Sequence, residues 1–454
     1  MRAGVSRRHL IKAGMTGLMG LSLPKLLQAE NHPAAPKARV KSIIFLFQWG
    51  GPSHIDMFDR KPDAPEGIRG PLSSISSSLL GLPLCEGLER TAKWMHKVTL
   101  IRTLHHKMTN HNSAGYYALT GHAPPSDDQR LKDAIDLWPA YGSVVDKLAP
   151  AASDLPTSVS YPYVISDGSI TPGQHASFLG KQHDPLLFTR DPSLADFSLP
   201  ELSLPAGLSL DRIHARRELQ RILDGQARLM DRSAAAQGLD SYYEKALAML
   251  NSAKLREAFN LSAEPEPVRE AYGRTTYGQS CLLARRLAEA GAKFVTVYFS
   301  DSIGGQSTDS GGWDTHGFNN TRMYPIIQKR HLPITDQTLP TLLNDLETRG
   351  MLDTTLVVWV GEFGRTPKIN GSASRDHWPQ CYTALLCGAG VKQGYLHGTS
   401  DKHGAYPAEH PVKPDDLAAT LYHLLGIHPH AEVRDAAGRP LAISTGNVVS
   451  PILA

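Results

Sequence analysis

Apolar residues in this chain fall into two periodicities that take turns. Compact apolar runs with β-branched residues stand at Val40–Phe47, Val98–Thr103, Lys293–Phe299 and Thr355–Val360. Runs of that length, apolar at successive positions, predict strands buried on both faces. Tyr161–Ser166 and Thr383–Leu386 read as two shorter strands. Between the strands the spacing turns helical over Ser113–Thr120, Gln279–Ala290, Asp336–Thr348 and Asp415–Leu425. Gly291 and Gly350 close the second and third of these helices, and Pro414 opens the last. Such alternation predicts an α/β fold, with a mainly parallel central sheet flanked by helices. Ligands of such sheets bind at the carboxyl ends of the strands. One stretch departs from this: Ser209–Leu261 is rich in Leu, Ala, Arg and Glu at helical spacing. Its charged outer faces predict a helical insertion packed on the core rather than a second catalytic domain.

Composition narrows the partners more than the fold. The chain has 454 residues, 41% hydrophobic and 20% charged, ample material for a large core. A net charge of +3 gives no ground for binding nucleic acid or an anionic membrane surface. Cys85, Cys281, Cys381 and Cys387 form no C-x-x-C pair and read as small buried hydrophobes. Ser6-Arg7-Arg8-His9-Leu10-Ile11-Lys12, followed by the modest apolar stretch Ala13–Leu23, predicts a twin-arginine export signal over residues 1–29. That stretch is too short and Gly-rich to span a bilayer, so the mature chain is expected to carry no transmembrane anchor. The expected partner is the twin-arginine export machinery, and the expected location is the periplasm or the medium. A Pro/Ala linker over 30–39 then leads into a domain covering 40–454.

Carboxylates and imidazoles gather in loops just past the apolar runs. Gly311-Gly312-Trp313-Asp314-Thr315-His316 places Asp314 and His316 beside glycines that let the backbone bend. Glu362 follows the run 355–360 after a single glycine, where a carboxylate is costly unless exposed, paired or metal-bound. Arg365 either pairs with it or steadies an oxyanion. In Asp376-His377, His377 is a candidate ligand and Asp376 a second ligand or its support. After the first strand, Gly50-Gly51-Pro52-Ser53-His54-Ile55-Asp56 supplies His54 and Asp56, which share a face in extended backbone. After the second, His111-Asn112-Ser113 opens a helix, where Ser113 is also a natural N-cap. Oxygen and nitrogen donors converging from separate strand ends suit a divalent cation: zinc, calcium or magnesium. No P-loop, G-x-S-x-G elbow or dinucleotide fingerprint is present.

Taken in order, several motifs resemble those of the twin-arginine-exported family called domain of unknown function 1501, which looks like a branch of the alkaline phosphatase and sulfatase superfamily. They are G-G-P-S-H-I-D-M-F-D at Gly50–Asp59, Thr120-Gly121, G-G-W-D-T-H, G-E-F-G-R-T-P and R-D-H-W, with the helix Asp416–Ile427 as a further echo. The resemblance implies an alkaline-phosphatase-like three-layer sandwich from about Lys41 to the end. It also implies one or two metals, with Asp314, His316 and His377 at one and Glu362 with the first-loop residues at the other. The sulfatase nucleophile motif C/S-x-P-x-R is missing. Its first position is taken by His111, its proline by Ser113 and its arginine by Gly115, which excludes the formylglycine route.

The function this predicts is hydrolysis of a phosphate or sulfate ester, on a small molecule or a glycan, at a divalent metal held by His54, Asp56, Asp314, His316, Glu362, Asp376 and His377. Arg365 would steady the oxyanion, and His111 or Ser113 would act as nucleophile or general acid/base. The alternative is a non-catalytic, metal-stabilised envelope protein that binds sulfated or anionic glycans.

Overall fold

The computed structural model describes residues 36–152, 154–199, 248–250, 252–304, 311–317 and 321–454. The expected export signal and the 209–247 part of the expected helical insertion lie outside them; within the rest of that insertion, Ala253–Phe259 is a helix.

The central sheet has eight strands: β1 (Ser42–Phe47), β2 (Val98–Leu104), β3 (Ser158–Tyr161), β4 (Leu186–Leu187), β5 (Phe294–Tyr298), β6 (Thr355–Val360), β7 (Tyr382–Gly388) and β8 (Tyr395–His397). Their order is β8-β2-β7-β6-β1-β5-β3-β4. Only β7 runs antiparallel to its neighbours β6 and β2. The α/β expectation is met: the sheet is mainly parallel, and helices cover both faces.

Alternation along each strand explains the layers. Ile43, Phe45 and Phe47 face α1 (His111–Thr120), α2 (Tyr141–Leu148) and α5 (Pro414–Leu424), whereas Ile44 and Leu46 face α3 (Thr276–Ala290) and α4 (Leu332–Thr348). β6 repeats the division, with Val358 on the first side and Trp359 on the second. Each fully buried apolar side chain of this kind contributes about 1.5–3 kcal/mol. All four cysteines are free and buried among them.

Helix ends follow the local chemistry. The Thr275 side chain caps α3 by accepting the Gly278 amide, and Gly291 closes it at φ +111. α1 opens two residues before Ser113, with Asn110 at the N-cap, so Ser113 lies in the first turn and is not the cap. The strand expected over Tyr161–Ser166 instead ends at Tyr161: Pro162 has no N–H for the ladder, and the strand lies upstream, where Ser158 and Ser160 conceal its buried face. Among the described residues no helix is long and apolar enough to cross a membrane.

Candidate metal centre

The loop leaving β1 creates the floor of the site. The Trp49 carbonyl accepts the Trp313 amide at 2.7 Å, which lays Gly50 against the segment that carries Asp314. A Cβ on Gly50 would stand 2.2 Å from the Asp314 nitrogen, and its φ is +105, so only glycine permits the approach. Arg365 clamps the two segments from beneath. Its Nε donates to the Gly51 carbonyl at 2.8 Å and its Nη2 to the Trp313 carbonyl at 3.1 Å and to the Gly50 carbonyl. Nη2 also lies 2.9 Å from Asp314 Oδ1. The side chain is wholly buried, so the guanidinium expected to meet a substrate oxyanion is directed inward to hold Asp314.

Three histidines converge on Asp314. His377 Nε2 lies 3.1 Å from Oδ1, while His316 Nε2 and His111 Nε2 lie 2.9 and 3.5 Å from Oδ2. His111 opens α1 after β2, and its Nδ1 meets Glu362 Oε1 at 2.8 Å. Glu362, wholly buried past the end of β6, also accepts the Gly50 amide at 2.9 Å. Candidate ligand atoms of His111, Asp314 and His377 all lie within 4.8 Å of one another. The Phe363 ring packs on His377 at 4.6 Å and on His111 at 5.0 Å, making one wall apolar.

The protonation pattern is unusual. The His377 Nδ1–H donates to the Thr109 carbonyl at 2.9 Å, which fixes the tautomer of the neutral ring. Burial pushes the His377 pKa down to about 4, so near neutral pH Nε2 aims a lone pair at the Asp314 carboxylate. Burial also disfavours charge on His111, but the nearby Asp314 and Glu362 carboxylates, 3.5 and 2.8 Å away, outweigh this and push it up to about 9. Asp314 is opposed by burial too, yet Arg365, His111 and His316 hold it well below the usual carboxylate range. His111 Nε2 is buried with no hydrogen-bond partner. The His377 lone pair and the Asp314 carboxylate thus face a common point, where a bound cation would take the place of the His111 proton.

The structure brings His111, Asp314, His316, Glu362, Arg365 and His377 together and places the other expected residues apart. His54 Nε2 meets the Gly404 carbonyl at 2.7 Å. The Asp56 oxygens are taken by Arg375 at 2.7 and 3.0 Å. The Ser113 hydroxyl accepts the Asp128 amide at 2.8 Å and faces the Ser126 and Asp128 carbonyls, each at 3.1 Å. Asp376 is exposed and accepts from Asn370, whose amide also holds the His316 carbonyl at 2.9 Å. His106 was not singled out from the sequence, yet its Nε2–H holds the Glu362 carbonyl at 2.6 Å. Its only sequence signal was membership of the same histidine-rich loop as His111.

Fold and site together define an α/β protein with a candidate metal centre at the carboxyl edge of its sheet. Residues 40–453 match the family described as Protein of unknown function (DUF1501), and the chain belongs to that family. No curated protein matches it. Among solved structures, it is similar to the PsFucS1 sulfatase from Pseudoalteromonas sp., at 11% identity over 93% of this chain and 72% of that one, with a TM-score of 0.38. It is also similar to a protein in the alkaline phosphatase superfamily from Vibrio parahaemolyticus, at 10% identity over 87% and 69%, with a TM-score of 0.39. A third is the lipoteichoic acid synthase LtaP from Listeria monocytogenes, at 11% identity over 90% and 76%, with a TM-score of 0.38.

Proposed function

We propose that this chain is an exported metal-dependent hydrolase of phosphate or sulfate esters. The observation that carries the reading is the His377 Nε2 lone pair aimed at Asp314 Oδ1 at 3.1 Å, beside the unpartnered His111 Nε2. His111, Asp314 and His377 would hold the cation, with His316 and Glu362 adjoining. Two imidazoles and a carboxylate suit zinc better than calcium or magnesium, which prefer oxygen throughout. A divalent cation held there supplies Lewis acidity at the ester and acidifies water.

The remaining steps belong to the side chains. Arg365 and the Thr109 carbonyl fix the two ligands in place. Glu362 orients His111 through Nδ1. His316 is the most exposed of the three rings, 29% against 24% for His377 and 4% for His111. It stands where solvent reaches the cluster and is assigned the proton transfer, shared with Asp314 Oδ2. With the Ser113 hydroxyl engaged by residues 126–128, water is the expected nucleophile.

The same engaged hydroxyl favours a second reading, a non-catalytic protein that binds anionic glycans through a structural metal. Metal analysis of the mature protein purified without chelator, followed by turnover of aryl phosphate and aryl sulfate, separates them. The hydrolase reading expects about one or two equivalents of metal, lost in Asp314→Ala and His377→Ala, and turnover lost with it. Metal without turnover across both ester classes would leave the binding protein. A folded wild type free of metal would end both readings.

A further inference from the structure

Beside the cluster, along the same edge of the sheet, lies a cavity of about 690 Å³ at the carboxyl ends of β3 and β5. Tyr163 and Phe299 line it just past those strands, and Thr276 lines it at the start of α3. It adjoins the metal centre by direct packing. The Phe299 ring meets Trp313 at 5.6 Å, and Trp313 precedes Asp314. On the far wall, residues Ile327–His331 form a π-helical turn before α4, a local insertion that proteins keep mostly where it serves a site. From that turn Arg330 Nη1 donates to the Gly311 carbonyl and His331 Nε2–H to the Gly312 carbonyl at 2.9 Å. The turn therefore holds the strand bearing Asp314 through Arg330 and His331 and faces the cavity through Lys329 and Arg330.

Among the described residues, every charged side chain on the wall is a cation: Arg274, Lys329 and Arg330. Arg274 pairs with Glu266 and Glu270, and Arg330 lies over the Phe299 ring at 5.6 Å. Lys329 is exposed and has no ion-pair partner among the described residues. Of the carboxylates nearby, Asp191 is taken by the Thr276 hydroxyl and the Ser193 amide, both at 2.8 Å. Asp301 acts on the Tyr163 hydroxyl from outside the wall. Aromatic walls, an available ammonium and the amino end of a 15-residue helix together match a flat ring carrying negative charge. The volume is in the range of small-molecule sites.

We propose that this cavity is a subsite for an anionic, ring-bearing part of the substrate, adjoining the ester that the cluster hydrolyses. The proposal rests on the hydrolase reading for its role but not for its binding chemistry, so the two can fail separately. The probe is benzenesulfonate, a ring with a fixed charge and no ester to hydrolyse, titrated calorimetrically into the full chain beside its neutral counterpart benzenesulfonamide. Lys329→Ala is expected to raise the Kd for benzenesulfonate about tenfold, with metal content unchanged and little effect on the sulfonamide. His377→Ala, with its metal lost, is expected to keep that Kd within about twofold. An unchanged Kd in Lys329→Ala, or no binding by wild type, overturns the subsite. Binding abolished by His377→Ala alone also overturns it, by placing the anion on the metal, and leaves the hydrolase intact. Lys329-dependent binding by a protein that holds no metal upholds the subsite and removes the hydrolase.

Discussion

Asp56 and Asp314 are both 2% exposed and both paired with a buried arginine, yet they do opposite things. Arg375 meets both oxygens of Asp56, and Tyr324 adds a hydroxyl at 3.4 Å, so every acceptor has a donor. Around Asp314, Arg365 supplies a single nitrogen, and the remaining neighbours are imidazoles, of which His111 Nε2 makes no hydrogen bond and His377 carries its proton on the far nitrogen. The first pair is closed and structural. The second is held in shape by its surroundings while its interior is left incomplete, and that incompleteness is what marks a ligand site.

Breaking the closed pair has the largest expected effect. Arg375→Met leaves Asp56 buried and uncompensated, and should cost about 3–5 kcal/mol in urea unfolding while metal stoichiometry in the folded fraction persists. If instead metal is lost without loss of stability, the two aspartates have exchanged roles. In the open pair, His377→Ala should weaken metal binding by at least about a hundredfold, or about 2.7 kcal/mol, while the metal-free protein unfolds within about 1 kcal/mol of wild type.

A third test uses two buried histidines that face backbone carbonyls rather than carboxylates. His122 bonds the Ile443 carbonyl at 3.0 Å and His331 the Gly312 carbonyl, and burial pushes each down to about 4 from 6.5. Because the folded pKa is depressed, the unfolded chain takes up these protons first as pH falls. Stability should therefore drop from pH 6.5 toward 4, by about 1.6 kcal/mol per histidine between pH 6.5 and 5. Unfolding free energies of wild type and His122→Gln across that range check it, and parallel curves would refute the assignment for His122. The smallest effect is expected for Ser113→Ala, about 1 kcal/mol from the lost ties to residues 126–128, with turnover within about twofold. A large loss of turnover at unchanged stability would restore Ser113 as a nucleophile.

The layers of the fold were legible wherever burial acts on consecutive residues. β6 coincides with the expected Thr355–Val360, because a strand covered on both faces must be apolar throughout. β3 was displaced because Ser158 and Ser160 are small enough to be buried without being apolar. The candidate site was legible as a set of loops but not as a set of roles. Nothing near Asp56 in sequence announces Arg375, which lies 319 residues away. Nor does anything in Asp376-His377 say which neighbour turns inward. That is decided when His377 joins Trp378 in a two-residue strand against Gly364-Arg365. Arg365 shows the same gap from the other side, since a guanidinium reads alike whether it faces a ligand or the Gly50, Gly51 and Trp313 carbonyls.

The sequence separations within the cluster carry a kinetic corollary. His111 and Glu362 are 251 residues apart, and Asp314 and His377 are 63 apart. An ion binding only the finished arrangement has no partial site to grip while these loops are unclosed, so it cannot seed folding and can only slow the reverse reaction. Loading the native protein at a hundredfold excess over Kd should deepen its well by about 2.7 kcal/mol. A chain that met such an ion late would therefore gain most of its lifetime after it has folded, and chelation would shorten that lifetime without altering how fast the fold is reached.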